Sequence, residues 1–491
     1  MFSLGIDVGS SSVKVALLDI ESGKCIASST NPKTEAPIKS LQKGWAEQAP
    51  ESWWDYMAAG IKEISAAHDL KQTVSIGISY QMHGLVALDK DFKPVRDAII
   101  WCDSRAVQTG RQALEDIGYD KCMEHLLNSP GNFTASKLAW VRQNEPDTYA
   151  KISKFMLPGD YIAYKLTGTP TTTATGLSEG ILWDFKEGCR ADFVTENFGI
   201  DSSLFCDIAP AIGIGGRTTG EIQSLFGIPA GTPVSYRAGD QPNNAFSLNV
   251  LNPGEIAATG GTSGVVYGVT DLPKADPKSR VNTFLHVSPS TEQRLGVLLC
   301  INGTGILNAW CRRNITPDLS YAQMNELSAR APVGSDGLTV LPFGNGAERV
   351  LENRNIGARF CGLDLVRHTK AHILRAEQEG IAFSFKYGID IMKDLGLKPD
   401  VIRAGMANTF LNPIFRTTLA TLTGARIELF DTDGALGAAR GAALGAGIYK
   451  DAPEAFATLT RLDTIYPEPS WQAPLDEAYT RWKTELENTI R

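Results

Sequence analysis

An α/β protein built from two related domains is the architecture this sequence predicts, and three observations carry the expectation. A hairpin pattern rich in glycine and hydroxyl residues occurs twice, near the start of the chain and just past its middle. Short apolar runs with strand-like alternation are interleaved with helical stretches, and several deliver a polar loop at their C-terminal end, where open α/β sheets place ligands. At 491 residues the chain has room for about two to four domains with cores of their own.

The first hairpin reads Ile6-Asp7-Val8-Gly9-Ser10-Ser11-Ser12-Val13-Lys14 and continues to Asp19. The second reads Ala258-Thr259-Gly260-Gly261-Thr262-Ser263-Gly264 and continues to Asp271. Laid in register, Gly9 falls on Gly261, Ser10 on Thr262, Ser11 on Ser263, Val13 on Val265 and Asp19 on Asp271. Each copy predicts two strands around a tight turn. Consecutive N–H groups in such a tip form an anion-binding concavity, so two facing tips could hold a polyphosphate. The copies differ at Asp7, a carboxylate able to hold a hydrated metal ion, whose counterpart is the neutral Thr259. Two unrelated Gly-Ser turns is the plainer reading of either copy alone. Two copies in register favour a duplication.

The elements follow in order. Pro50 and Glu51 suit the first turn of a helix running to about residue 67. Val74 to Ser79 alternates as a strand and delivers Tyr80-Gln81-Met82-His83-Gly84, and Ala98 to Trp101 does the same for Cys102-Asp103-Ser104-Arg105. Helices are expected at about 106–117, 134–147 and 159–166. A glycine-rich piece at 212–216 leads to a strand from Val234 that ends in the turn Gly239-Asp240-Gln241-Pro242. Pro253-Gly254 marks a boundary before the second hairpin. Ile301-Asn302-Gly303-Thr304-Gly305 leads into a helix, a long amphipathic helix follows at about 369–394, and Val401 to Asn408 is another strand and loop. From Asp433 to Ala443 small residues recur three and four apart, which suits a helix packed closely on a sheet. No low-complexity linker separates the halves, so an ordered hinge is expected.

Composition excludes several classes. A hydrophobic share of 43% with 21% charged residues is that of an ordinary globular enzyme. A net charge of −8 argues against nucleic acid or an anionic membrane as the main partner, though not against a local nucleotide site. No apolar stretch is long enough to span a bilayer, and Asp7 and Lys14 interrupt any signal-peptide core in residues 1–19. The eight cysteines are scattered without a Cys-x-x-Cys pair, the pattern of reduced thiols in a cytoplasmic protein. There is no Gly-x-x-x-x-Gly-Lys-[Ser/Thr] loop, and His368 and His372 lack the glutamate of a zinc protease helix.

Asp240 is the leading catalytic candidate. A carboxylate after an apolar strand can take the proton of a sugar hydroxyl as its oxygen attacks phosphorus, whereas the plainer reading is an Asx-turn or helix cap. Gln81 and His83 can hydrogen-bond polyol hydroxyls while Met82 packs on the carbon skeleton; a structural histidine is the alternative. Trp101 and Asp103 share that ambiguity, with Arg105 an ion-pair partner for Asp103.

Together, Asp7-x-Gly9-Ser10-Ser11-Ser12, Gly261-Thr262-Ser263-Gly264 and Gly239-Asp240-Gln241 resemble the FGGY carbohydrate kinases, over residues 3 to about 447. The resemblance implies two ribonuclease-H-like, actin-like ATPase domains with the active site in the cleft between them. Residues 1–250 would carry the sugar site, the first phosphate loop and the catalytic aspartate, 251–447 the nucleotide site, and 448–491 a C-terminal helical extension. It implies ATP as donor with Mg²⁺, Asp7 as the metal-associated carboxylate and Asp240 as proton acceptor. Met82 and His83 match the sugar-binding pair, with Gln81, Trp101, Asp103 and Gln241 completing the expected substrate set. Gly9, Ser10, Ser11, Ser12 and Lys14 match the first phosphate loop, and Gly261 and Thr262 the second. Gly305 matches a glycine lining the nucleotide site, and Gly405 and Asn408 match the adenosine loop.

Gln81-Met82-His83-Gly84, Gly44-Trp45-Ala46-Glu47-Gln48 and Leu157-Pro158-Gly159-Asp160-Tyr161 are similar to the xylulokinase branch, which implies phosphorylation of a ketopentose, D-xylulose at its 5-hydroxyl. Ribulose, an erythritol-like polyol or glycerol are the alternative acceptors. A non-catalytic actin-like nucleotide-binding protein is the rival class, and it would have no use for a base at Asp240. The sequence departs from the family pattern at Arg403-Ala404-Gly405, at Gln241-Pro242-Asn243-Asn244 and at Gly346-Ala347-Glu348-Arg349. A homodimer is left open.

Overall fold

Both hairpins form, and each belongs to a mixed sheet of its own. In the computed structural model, which describes residues 1–490, the first sheet holds β1 (Phe2–Val8), β2 (Val13–Asp19) and β3 (Cys25–Asn31), followed by helix α1 (Pro50–Ser65) and β4 (Thr73–Tyr80). An inserted stretch containing α2 (Thr134–Asn144) and α3 (Ala174–Glu179) precedes β5 (Ile212–Arg217) and β6 (Pro233–Gly239), and α4 (Asp240–Ser247) closes the half. The strand order is β5-β6-β4-β1-β2-β3. The central strands β1 and β4 bury Leu4, Ile6, Val8, Ile76 and Ile78 completely, the near-continuous apolar pattern of strands covered on both faces.

The second half repeats the plan. It runs through β7 (Glu255–Gly260), β8 (Gly264–Thr270), β9 (Asn282–Leu285), β10 (Leu295–Ile301), α5 (Gly305–Asn314) and the long α6 (Lys370–Asp394). It ends with β11 (Val401–Gly405), β12 (Arg426–Phe430), α7 (Gly434–Gly445), β13 (Arg461–Ile465) and α8 (Pro469–Ile490). The order is β9-β10-β8-β7-β11-β12-β13. The run β3-β2-β1-β4-β6 is matched by β10-β8-β7-β11-β12, with two antiparallel pairings followed by two parallel ones in each. The duplication therefore extends from the hairpin to five strands.

The second tip is one residue shorter than the first. Asp7 pairs with Lys14, whereas Thr259 pairs with Val265. The register expected from sequence thus holds along the first strand of each hairpin and slips by one on the second, so Val13 corresponds to Gly264 and not to Val265.

Helix α7 belongs by sequence to the second half but lies on the first sheet. A Cβ on Gly5 would stand 1.8 Å from the Ala435 carbonyl oxygen, and one on Gly77 2.0 Å from that of Ala438. Ser3 and Ser235 hydroxyls donate to the carbonyls of Ala439 and Ala442 at 2.6 and 2.7 Å. The small-residue spacing does serve close packing on a sheet, and it interlocks the two halves.

Residues 448–490 are not a separate helical extension. β13 forms the edge of the second sheet, and α8 buries Leu475, Trp482 and Leu486 in the core of that half; Arg491 lies outside the described residues. The helix expected at 134–147 ends at Asn144 because Pro146 starts a new turn, Pro146–Tyr149. Only Ala98–Ile99 of the expected 98–101 strand is paired.

Candidate active site

Three parallel strands deliver the site. Val8 of β1 sits opposite Tyr80 of β4, which sits opposite Gly239 of β6. Gly9, Gln81 and Asp240 therefore leave the sheet side by side at the carboxyl ends of their strands, beyond which open α/β sheets bind ligands. Asp240 is the first residue of α4, with Gly239 as its N-cap. It is a helix-start residue, not the loop residue that the Gly-Asp-Gln-Pro pattern suggests.

Burial pushes the Asp240 carboxyl up to about 7, and the nearby Asp7 carboxylate adds to the rise, against hydrogen bonding from Gln241. Asp7 is raised as well, by burial and by Asp433, with Ser79 and Lys14 opposing. A Cβ on Gly434 would stand 2.4 Å from an Asp7 carboxylate oxygen, so the start of α7 abuts this group. Lys14 of β2 pairs with Asp433 at 2.6 Å, and Asp433 also caps α7 through the Leu436 N–H.

His83 has φ 61°, a left-handed backbone conformation. Its ring packs against Phe133 and against Phe284 of β9, with centroids 4.8 and 5.4 Å away. Its Nδ1 lies 2.8 Å from the Glu179 carbonyl oxygen. A carbonyl only accepts, so Nδ1 carries the proton and Nε2 keeps a lone pair. Burial, reinforced by Lys137, pushes the imidazole pKa down to about 3, so the ring is neutral at pH 7. Gln81 is buried with its side-chain carbonyl unpartnered, and its amide faces the Gln48 side chain at 3.4 Å. Gln48 in turn donates to the Ser10 carbonyl at 2.7 Å, tying the first tip to this loop. Met82 is buried against Gly239.

Trp101 and Asp103 part company. Trp101 is half exposed and donates from Nε1 to Ser10 Oγ at 3.3 Å. Asp103 is fully buried, and both its oxygens are taken by Arg105 and the Ala46 N–H. Arg105 also pairs with Glu47 and covers the Trp45 ring at 3.8 Å. The expectation that Asp103 touches substrate is corrected by this geometry: its carboxylate shapes the Trp45–Gln48 segment instead.

On the other side, Gly261, Thr262, Gly305 and Asn408 line one cleft of about 550 Å³. The start of α5 abuts the second tip, with the Gly305 N–H donating to the Gly261 carbonyl at 3.1 Å. Gly405 is not among the lining residues; it ends β11 just behind. Glu348 of the variant Gly-Ala-Glu-Arg segment is buried and accepts from the Asn302 and Gly303 N–H groups, both at 2.9 Å, bracing the loop before α5. Sequence reading missed Asn308, Arg313, Asn325 and Asn412 in this cleft. Isolated asparagines on helices and loops carry no motif, and Asn412 before Pro413 reads only as a cap. It also missed Lys137 and Glu179, whose burial appears only in the fold.

The arrangement, a carboxyl near neutral pKa beside hydrogen-bonding side chains and a glycine-lined cleft on the repeated half, suits phosphoryl transfer to an alcohol. Comparison with known proteins agrees. Models of the N-terminal and C-terminal domains of the FGGY family of carbohydrate kinases match residues 2–247 and 256–448. A xylulose kinase of Haemophilus influenzae is 30% identical over 514 residues, covering 98% of this chain and 99% of that protein. Among solved structures, ligand-bound xylulose kinase from Lactobacillus acidophilus superposes with a TM-score of 0.90 at 23% identity, covering 100% of this chain and 98% of its own. Gluconate kinase from the same organism gives 0.89 at 22%, with the same coverage. The two superpositions share the two-domain actin-like ATPase fold and leave the acceptor open, whereas the domain models span both halves in order. The chain belongs to the FGGY family of carbohydrate kinases.

Proposed function

We propose that this carbohydrate kinase moves the γ-phosphoryl group of ATP to the 5-hydroxyl of a ketopentose, D-xylulose foremost, with Asp240 as general base. The observation that carries the reading is the place of Asp240 at the carboxyl end of β6, one strand away from the neutral His83, where its half-buried carboxyl is pushed up to about 7. A base poised near the working pH combines a usable ionised fraction with proton affinity. The xylulose kinase relative at 30% identity supports the choice of sugar.

In this mechanism His83 Nε2 accepts a hydrogen bond from a sugar hydroxyl, and Gln81 and Met82 complete the pocket. Asp240 takes the proton of the attacking hydroxyl while its oxygen bonds to the γ-phosphorus, and the bond from that phosphorus to the β-phosphate bridge breaks, releasing ADP. The first tip, Gly9 to Ser12 with Lys14, and the second, Gly261 and Thr262, hold the phosphates through N–H, hydroxyl and ammonium donors. The Asp7 carboxylate raises the Asp240 carboxyl and is itself raised by Asp433, a local excess of negative charge that fits Mg²⁺. No cluster of three or more metal-ligating side chains exists among the described residues. Asp7 with Asp240 offers two carboxylates, the number with which Mg²⁺ keeps most of its waters. When bound, the ion supplies charge neutralisation on the phosphate oxygens.

The test is an ATP-consumption assay across D-xylulose, ribulose, erythritol, glycerol and gluconate. D-Xylulose is expected to give the highest kcat/KM. Glycerol or ribulose ahead of it removes the sugar assignment and leaves the kinase with Asp240 as base. No ATP turnover with any acceptor removes both.

A further inference from the structure

We propose that Glu179 and Lys137 are positioning residues that hold His83 in the conformation in which it meets the sugar. His83 occupies left-handed backbone space at φ 61°, which non-glycine residues seldom adopt without support. The support comes from two residues. Glu179, at the end of α3, accepts from the His83 N–H through Oε1 at 3.3 Å and from the ring through its own carbonyl at 2.8 Å. Lys137 of α2 donates to the His83 carbonyl at 2.7 Å and to that of Ile100 at 3.0 Å. Thus the N–H, the carbonyl and the ring of one residue are each fixed by this pair, and the same Lys137 nitrogen ties down the strand end before Trp101.

Neither group forms an ion pair to account for its burial, and the Asp103 and Glu179 charges only partly offset the burial of Lys137. Lys137 is 0% exposed and Glu179 2%. Burial favours the uncharged form of each, raising the Glu179 carboxyl and drawing Lys137 down to about 7. Unpaired buried ionisable groups are costly, so a hydrogen-bonding duty accounts for their presence better than packing does. The Glu179 carboxyl is also wedged between the two loops of the sugar side. A Cβ on Gly239 would meet Glu179 Oε2 at 2.4 Å and Met82 Cγ at 2.6 Å, so the residue before Asp240 abuts both.

The inference rests on the reading above that His83 binds the sugar, and the experiment separates the two. In the full-length protein, KM for D-xylulose and for ATP is measured with Glu179→Ala, Glu179→Gln, His83→Ala and the His83→Ala/Glu179→Ala double variant. Glu179→Ala is expected to raise the sugar KM by no more than His83→Ala does, up to about tenfold, with ATP KM within twofold, as loss of a hydrogen-bonded buried group implies. Glu179→Gln keeps a neutral acceptor of the same shape and should restore the sugar KM to within about threefold of wild type. In the His83→Ala background the N–H of residue 83 remains but no ring is left to be positioned, so removing the Glu179 carboxyl should add little to the sugar KM. If the alanine protein does not fold, Glu179→Leu fills the space without an acceptor and carries the same expectation. A sugar KM unchanged in Glu179→Ala or →Leu, no rescue by glutamine, or a full additional loss in the double variant overturns the clasp. An unchanged sugar KM in His83→Ala overturns the reading of His83 instead.

Discussion

At Asp240 the burial that raises the carboxyl to about 7 also makes its ionisation a cost to folding, and two carboxyls away from this site share that property. Burial lifts Glu348 to about 7 and Glu377 to about 8. An unfolded carboxyl titrates near 4. The stabilisation from keeping each group neutral is therefore complete below pH ~4 and is lost as the pH climbs through 7 to 8. Glu377→Gln should raise Tm at pH 9 and leave it unchanged at pH 4 in thermal denaturation; equal Tm at both pH values would contradict a buried, neutral Glu377. His83→Ala should raise the sugar KM about 2–10-fold for one lost hydrogen bond, with ATP KM unchanged. Residues in motifs were legible from the sequence: Asp240, His83 and Thr262 each sit at a strand end or hairpin tip. Asp103 was misread because a carboxylate in a polar loop looks the same whether it faces a ligand or, as here, Arg105.

Among elements, the hairpin copies and α7 were foreseeable because their signals are local: glycine and hydroxyl residues between β-formers, and small residues at helical spacing. What sequence could not show was the sheet on which α7 lies. Its small residues say that something approaches closely; only the fold reveals that Gly5 and Gly77 of the other half are what approach. Gly77→Ala should force the Ala438 carbonyl away and lower stability by about 1–3 kcal/mol, the usual cost of overpacking, measured by urea denaturation. No change would mean that α7 can shift freely. Residues 448–491 were expected only as a helical extension, yet Trp482 is completely buried and donates from its indole to the Val340 carbonyl at 2.9 Å. Trp482→Ala should cost about 3–5 kcal/mol, with loss of the cooperative unfolding transition as the sign of failure of the second half.

At the scale of the molecule, the duplicated half-sheets set two unlike sites at the ends of corresponding strands. The first copy carries Asp7 beside the Gln81–His83 loop and Asp240, and the second carries the glycine-lined cleft, with Thr259 where Asp7 would be. Asp7→Ala should therefore lower turnover and shift the Mg²⁺ concentration needed for half-maximal rate upward. An unchanged metal profile with a lowered Tm would make Asp7 a structural residue. The central claim is that Asp240 is the base of a sugar kinase, and the most direct test compares the pH–rate profile of Asp240→Asn with wild type on D-xylulose. The wild-type kcat/KM should fall on the acid side of a pKa near 7. The variant should lose about 10²–10⁴-fold in turnover and lose that acid limb, while ATP and sugar still bind. Turnover within a few-fold of wild type, with the acid limb intact, would contradict it.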